Sequence, residues 1–386
     1  MPSEQQRVPL VLDSTAVASL FDHELHKAFD SLGCFNLAIF GKTGSGKSTL
    51  LNAIFAQALA STGIGESLTK GLNYHRHAHG YLGIYDSEGF EMGTSGDTIL
   101  AGLDRIIKTT NSGSIDQRIH AVWYVFRWSD RRFEAAQQSF VSAISALGLP
   151  VIVVMSQVPV IQREGKQQVH PDAIVFAEYI ESLALPTFGD GKVFLTNALP
   201  DSFSDTVIYG LPELLDATYE VVPRAAQDAL TAAQGVDGRR KKDAAIAVIK
   251  QATVVASGIG AVPIPVADAA LLVPHQVAMI ARITAIYGLP RSRSRALSIV
   301  GSAILTGGAT YAGRYVVTQL LRFVPGGFVA GTVISSTVAA ALTRTIGFAW
   351  VKVCEYAITL SQTDQESFFS GSQASDAFKK FLKSGK

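Results

Sequence analysis

The chain has 386 residues, enough for two ordinary domains that each bury a core, so a mini-scaffold is excluded. The formal net charge is +1 and 17% of residues are charged, which leaves no domain-wide basic field to neutralise a phosphate backbone; nucleic acid is not an expected partner. Cys34 and Cys354 lie far apart, and the start "MPSEQQRVPLVLDS" lacks a basic stretch followed by an apolar core, so the expected compartment is reducing and cytoplasmic. Residues 14–32 set Val17, Leu20, Phe21, Leu25, Phe29 and Leu32 at helical spacing. Short apolar runs then follow at 36–40, 81–85, 121–126, 151–155 and 192–196, separated by helical stretches such as Phe133, Phe140, Val141, Ile144 and Leu147. This βα repetition predicts an α/β fold with a mostly parallel sheet and helices on both faces. A helix from about Pro212 breaks at Pro223, and "QGVDGRRKKD" reads as a linker.

After Asp243 the composition turns to Ala, Val, Ile, Gly and Ser, predicting an all-α hydrophobic region. "AIAVIKQATVVASGIGAV" and "VADAALLVPHQVAMIARITAIYG" flank Pro263 and Pro265 and read as an αα-hairpin. Two further apolar segments, 296–313 and 323–343, follow a polar joint, and the second is long enough to cross a bilayer. Gly327, Gly331, Ser335 and Ala339 form a small-residue stripe at four-residue intervals. Membrane contact and a buried bundle both remain open. The chain thus divides into an N-terminal helix (1–33), an α/β domain (34–222), a helical linker (223–243), a hydrophobic helical-hairpin domain (244–361) and a polar tail (362–386) that carries Phe378 and Phe381 on a short amphipathic helix.

"GKTGSGKST" at 41–49 satisfies G-x-x-x-x-G-K-[ST] between a predicted strand and a predicted helix. Gly41, Gly44 and Gly46 let successive amides turn inward on a phosphate, with Thr43, Ser45 and Thr49 in the same turn. Lys47 reaches the β- and γ-phosphates, and Ser48 offers a hydroxyl to Mg²⁺. Downstream, Asp86-Ser87-Glu88-Gly89 ends a strand in the D-x-x-G pattern: Asp86 for the metal, the Gly89 amide for the γ-phosphate. Thr69, ahead of a predicted strand 72–79, is preferred over Thr62 as the threonine that closes over γ-phosphate and Mg²⁺.

These motifs, together with "IHAVWYVFRWSDRRFEAAQQSFVSAISALGLPVIVVMSQV", resemble Era-like and immunity-related-GTPase-like G domains. The hairpin sequence is similar to a helical domain of unknown function that follows such G domains, with Pro263, Pro265, Asp268, Gln276, Met279, Tyr287 and Gly288 in matching places. The resemblance spans most of 34–360 and implies a GTP-binding switch protein that is often membrane-associated. GTP or GDP with Mg²⁺ is the implied ligand.

Two departures stand out. The base-reading motif N/T-K-x-D is replaced by Ser156-Gln157-Val158-Pro159, so no carboxylate faces the guanine NH groups. Gln157 remains to pack on the base, and Thr196-Asn197-Ala198 resembles the loop that touches the guanine oxygen, so GTP is expected ahead of ATP. The residue after D-x-x-G is Phe90, which cannot orient a water; Glu88 is the candidate in its place, beside Lys47. Slow hydrolysis, assisted by self-association across the nucleotide face or by a partner, is the expectation, with membrane lipid or a membrane protein as the partner of 244–361. The alternatives are a non-hydrolysing scaffold and an ATP-preferring P-loop NTPase. His75, His77 and His79 alternate along a predicted strand and so share a face, read as exposed, with Zn²⁺ as the lesser option. Arg127, Arg131 and Arg132 follow a strand end at the ligand edge and are read as a solvated loop, with contacts to phosphates or a partner as the alternative.

Overall fold

The computed structural model describes residues 14–59, 66–69, 72–86, 94–110, 113–201, 205–259, 264–265, 272–289, 333–334, 336–370 and 372–384. The chain divides into two compact units, Leu32–Asp237 and a second formed by Met1–Ser31 with Gly238–Lys386.

The first unit is built on β1 (Phe35–Phe40), whose six residues are all buried. A strand covered on both faces reads as an unbroken apolar run, and β1 is accordingly central. It pairs in parallel with β4 (Leu82–Asp86) on one side and β5 (Ala121–Arg127) on the other. Beyond β5 come β6 (Val151–Ser156) and β9 (Val193–Leu195), both parallel. On the far edge β2 (Glu66–Thr69) and β3 (Leu72–Arg76) run antiparallel, giving the order β2-β3-β4-β1-β5-β6-β9. A separate hairpin, β7 (Val160–Arg163) and β8 (Lys166–Val169), turns at Glu164 and Gly165, both at positive φ.

The helices are α2 (Lys47–Leu59), α3 (Thr94–Thr110), α4 (Ala135–Ala146), α5 (Pro171–Glu181), the single turn α6 (Phe188–Gly191), α7 (Leu211–Val221) and α8 (Arg224–Ala233). Pro223 caps α8 instead of merely interrupting a helix, and α8 packs on β1, β4 and α2, so residues expected in a linker belong to this unit. One face of the sheet buries Trp123 against Phe55, with the indole donating to Thr218 Oγ1 at 3.1 Å. On the other, Phe140 packs against Phe40 edge-on and against Tyr124, which in turn meets Phe133 edge-on.

At the end of the sheet remote from the ends of β1 and β5, Asn36 and His120 form a closed polar knot. Asn36 Nδ2 donates to the carbonyls of Asp116 and Arg118, and the Asn36 amide donates to His120 Nδ1 at 3.0 Å. Nδ1 therefore carries no proton, and Nε2–H is left to meet the Ile115 carbonyl at 2.9 Å. Burial pushes the His120 pKa down, in keeping with a neutral ring.

The three histidines do not share a strand face. β3 ends at Arg76; His77 is buried with its ring 4.1 Å from that of Tyr81 and 5.4 Å from that of His79, and it accepts the His79 amide on Nδ1. The turn after His77, closed by the Gly80 amide on the His77 carbonyl, breaks the alternation that the expectation relied on. Among the described residues no group of three His, Cys, Asp or Glu is arranged to hold a metal.

In the second unit α1 (Ser14–Ser31) packs on α10 (Leu272–Ile286). The long α9 (Gly238–Ile259) packs on α10 and on α11 (Ser336–Ala357). In the tail, α12 (Gln362–Ser370) stands where a polar linker was expected, and α13 (Gln373–Ser384) lies where a short amphipathic helix was expected, sending Phe378 against Trp350. A short antiparallel pair joins β10 (Ile264–Pro265) to β11 (Val333–Ile334). The "RRKK" run lies in the first turns of α9: Lys241 is buried with Nζ on the Ile286 carbonyl, and Lys242 pairs with Glu355 at 3.0 Å. The segment 296–313, Gly327, Gly331 and Ser335 lie outside the described residues; Ala339 is buried. Among the described residues no helix is long and apolar enough to cross a membrane.

Gly347 lets three helices meet closely. A Cβ there would come within 2.6 Å of Ile249 Cγ1 and 3.2 Å of Met279 Sδ, so α11 meets both α9 and α10 at one point without a side chain. Gly347→Ala gains helix propensity of about 1 kcal/mol but overpacks a contact at a cost of about 1–3 kcal/mol. The expected result is a lower Tm in thermal unfolding followed by circular dichroism, with a smaller drop when the same substitution is made in an Ile249→Ala background, which removes Cγ1.

His77 gives a pH dependence of known sign. Burial, then the neighbouring His79, lower its pKa from 6.5 to about 4. Between these values the unfolded chain takes up a proton that the folded chain refuses, so stability is full above pH 6.5 and falls as the pH drops toward 4. Tm measured between pH 7 and 4.5 should decline, and His77→Asn, which keeps an acceptor for the His79 amide, should flatten that decline.

Candidate nucleotide-binding site

The loop between β1 and α2 leaves the sheet at Gly41, where φ is 152° and a Cβ would lie 2.0 Å from the Val125 carbonyl oxygen. Only glycine fits so close to the neighbouring strand. Gly44 and Gly46 also have positive φ, 77° and 87°. The loop's carbonyls are taken from the protein side. Lys47 Nζ donates to Gly41 O at 2.8 Å and Lys42 O at 3.4 Å, and Lys42 O also accepts the Ser45 amide. Gln157 Nε2 donates to Gly44 O at 3.0 Å, and the Ser156 hydroxyl, shared with Phe126 O, reaches Ser45 O at 2.6 Å.

In a trans peptide the carbonyl and the following N–H point in opposite directions. Holding the carbonyls of Gly41, Lys42 and Ser45 inward therefore turns the N–H groups of Lys42, Thr43 and Gly46 away from the fold. With the first turn of α2 they form a concave set of donors, the local chemistry that an anionic phosphate requires. Lys47 is buried beneath this set. Desolvation lowers its pKa, and the Asp86 carboxylate at the end of β4 works against that shift. Ser45 Oγ is buried and makes no hydrogen bond among the described residues.

The remaining expected residues fall into three groups. Thr43, Gly44, Ser48 and Thr49 are exposed on the loop and first turn of α2. Thr69 closes β2 opposite Leu72, next to the Asn73–Asp86 pairing, so the backbone brings it to the same end of the sheet as Asp86. Glu88, Gly89, Phe90 and the alternative Thr62 lie outside the described residues.

On the base side, Ser156 and Asn197 are both engaged by the protein. Ser156 sits under the loop and its proton is shared by two carbonyls, so it steadies the loop. Asn197 spends Nδ2 on the carbonyls of Leu199 and Val207, and its amide on Tyr209, which pins the segment after β9. Gln157 stands at φ 55°, a left-handed conformation rare for a side chain of this size. Arg127, at the end of β5, pairs with Asp130 at 2.8 Å and has Nη1 3.6 Å from the point where a Gly44 Cβ would lie. Arg131 pairs with Asp172 and covers the Trp128 ring at 4.2 Å, while Arg132 is exposed. One further anchor escapes sequence reasoning although its spacing is that of a capping box: Glu134 caps α4 reciprocally with Gln137 and pairs with Lys42 at 3.1 Å.

Comparison with known proteins agrees with this geometry. Residues 36–157 match the family model described as 50S ribosome-binding GTPase. They form a P-loop GTPase domain. Residues 224–369 match a domain of unknown function, DUF697. The chain is similar to magnetosome membrane protein 22 of Magnetospirillum gryphiswaldense, 34% identical over 108 residues, 27% of this chain and 54% of that protein; it thus spans about half the length of that relative. Among solved structures it is similar to a probable GTP-binding protein engB (15% identity, 48% of this chain, 97% of that one, TM-score 0.31). It is likewise similar to the ADP-ribosylation-factor-like Sar1 of Encephalitozoon cuniculi (13%, 54% and 87%, TM-score 0.30).

The Ser156 contact supplies a test. A single hydrogen bond contributes about 1 kcal/mol net, so Ser156→Ala should weaken GTP binding by about fivefold without altering the choice between GTP and ATP. Parallel calorimetric titrations with both nucleotides check this; a loss confined to GTP would place the hydroxyl at the base.

Proposed function

We propose that the protein is a GTP-operated switch in which an Era-like or immunity-related-GTPase-like G domain binds GTP·Mg²⁺, hydrolyses it slowly and so controls what the helical region engages. The observation that carries the reading is the inward commitment of the loop carbonyls of Gly41, Lys42 and Ser45, which turns the following amides outward above Lys47. The residues present fit the nucleotide. Gly41, Thr43, Gly44, Ser45, Gly46, Lys47, Ser48 and Thr49 would surround the phosphates, with Gly89 at the γ-phosphate. Ser48, Thr69 and Asp86 would hold Mg²⁺, which supplies charge neutralisation between the phosphates. Ser48 is exposed at the start of α2, and Asp86 is near enough to act on the Lys47 charge.

On the base side Gln157 is the contact we favour, with Ser156 and Asn197 acting through the backbone they hold. Preference for GTP over ATP is expected to be modest, since no carboxylate stands at Pro159. Phe90 cannot position a water, which supports slow turnover with Glu88, a second copy or a partner assisting. The similarity to a magnetosome membrane protein supports a membrane as the place where the helical region works.

The test is nucleotide titration with Mg²⁺ on the purified full chain. Micromolar or tighter GTP binding, weaker ATP binding and loss of both in Lys47→Ala are expected, with phosphate release in single turnover that rises with protein concentration. No binding of any purine triphosphate would overturn the reading; equal binding without turnover would favour the scaffold alternative.

A further inference from the structure

Arg127 closes β5, and one edge of its guanidinium is fixed. Nε donates to Asp130 Oδ1 at 3.0 Å, and Nη2 lies 2.8 Å from the same oxygen. Nη1 makes no hydrogen bond or ion pair among the described residues. It stands beside the phosphate loop, 3.6 Å from where a Cβ of Gly44 would be and with no nearer atom around that point. Gly44 is exposed and lies three residues before Lys47. The other cation on this side of the loop, Lys42, is engaged by Glu134 at 3.1 Å. Arg127 is thus the loop-side guanidinium with donors to spare.

We propose that Arg127 is a nucleotide ligand: a cation supplied from within the same chain that donates from Nη1 to the polyphosphate at Gly44. The proposal rests on the GTP reading above and deepens it. Arg suits the place because its planar fork serves two acceptors at once, the Asp130 carboxylate along one edge and phosphate oxygens at the other nitrogen. Asp130 also fixes the side chain beforehand, which lowers the entropy lost on binding. The side chain keeps 39% of its surface exposed, so the loop-side nitrogen is open to a ligand. A cation facing the polyphosphate gains more from GTP than from GDP, because the triphosphate carries the greater charge.

The experiment uses the full chain with fluorescent GTP and GDP in Mg²⁺, titrated at two salt concentrations, alongside thermal unfolding without nucleotide. Arg127→Ala should weaken GTP by about tenfold or more, as expected for a lost hydrogen bond to a charged group. GDP should suffer less, the salt dependence of GTP binding should become shallower, and the nucleotide-free Tm should hold. Arg127→Lys, which retains charge without the fork, should recover part of the loss. If Arg127→Ala fails to fold, Arg127→Gln, which keeps a donor for Asp130, is read in the same way. The proposal is overturned if GTP affinity stays within twofold of the parent while Lys47→Ala abolishes it. It is overturned equally if GTP and GDP weaken together with a fall in Tm and an unchanged salt slope, the signature of a loop brace. Absence of GTP binding by the parent protein would bring down the switch reading as well.

Discussion

The constraint on which the G domain depends is the fit of one glycine against a neighbouring strand. Gly41 lies so close to the Val125 carbonyl that no side chain is possible, and this contact sets the height at which the chain leaves β1. From that point strand β6 takes over. Ser156 and Gln157 reach across to the carbonyls of Ser45 and Gly44, and Lys47 folds back to that of Gly41. Two strands and the first residue of α2 thereby decide the peptide planes of a loop that has no regular structure of its own. The donors that face outward owe their direction to acceptors that face inward, so the anion site is a by-product of backbone satisfaction in the layer below.

The same layer explains the arrangement on the base side. A residue at 156 has to brace the loop because β6 ends directly beneath it, and a hydroxyl is small enough to serve two carbonyls there. The Gln157 backbone then adopts positive φ so that its amide reaches Gly44. Such conformations cost of order 1 kcal/mol in a non-glycine residue and persist where surrounding contacts enforce them. With Asn197 tied to the carbonyls of Leu199 and Val207 and Ser156 buried, Gln157 is the exposed side chain of the three.

Much of this was legible from residue order alone. The apolar runs at 36–40, 81–85, 121–126 and 151–155 are buried on both faces, so burial and strand formation coincide and each run marks its strand to within a residue or two. The loop motif was legible because every fixed position answers to one mechanism. The His75–His79 alternation misled because period-two reasoning holds only while a strand continues, and β3 stops at Arg76. The β7–β8 hairpin went unread because its strands are four residues long and β8 is largely exposed, which leaves no apolar alternation to detect. The roles of Ser156, Asn197 and Glu134 are tertiary: each is set by a carbonyl or cation that lies 10 to 111 residues away in the chain.

The helical unit was harder to read because an apolar helix that buries against other helices and one that faces lipid have the same composition. The polar side chains separate the two for the described part. Trp350 Nε1 donates to Thr284 Oγ1 at 3.1 Å, Gln276 Nε2 to Thr343 Oγ1 at 3.3 Å, and His275 Nε2 meets the Ala252 carbonyl at 2.8 Å. Each of these bonds joins two different helices among α9, α10 and α11, which face one another along their apolar sides. Lys241 extends the pattern: burial lowers its pKa to about 7, and its ammonium is held on the Ile286 carbonyl at the end of α10. A cation tolerated there has been matched to its surroundings by the packing of these helices, which is how an interior solves the cost of a charge. The apolar surface of α9, α10 and α11 is thus used largely against itself, and among the described residues Val254 and Val255 on α9 and Tyr356 on α11 are the large apolar side chains left facing outward.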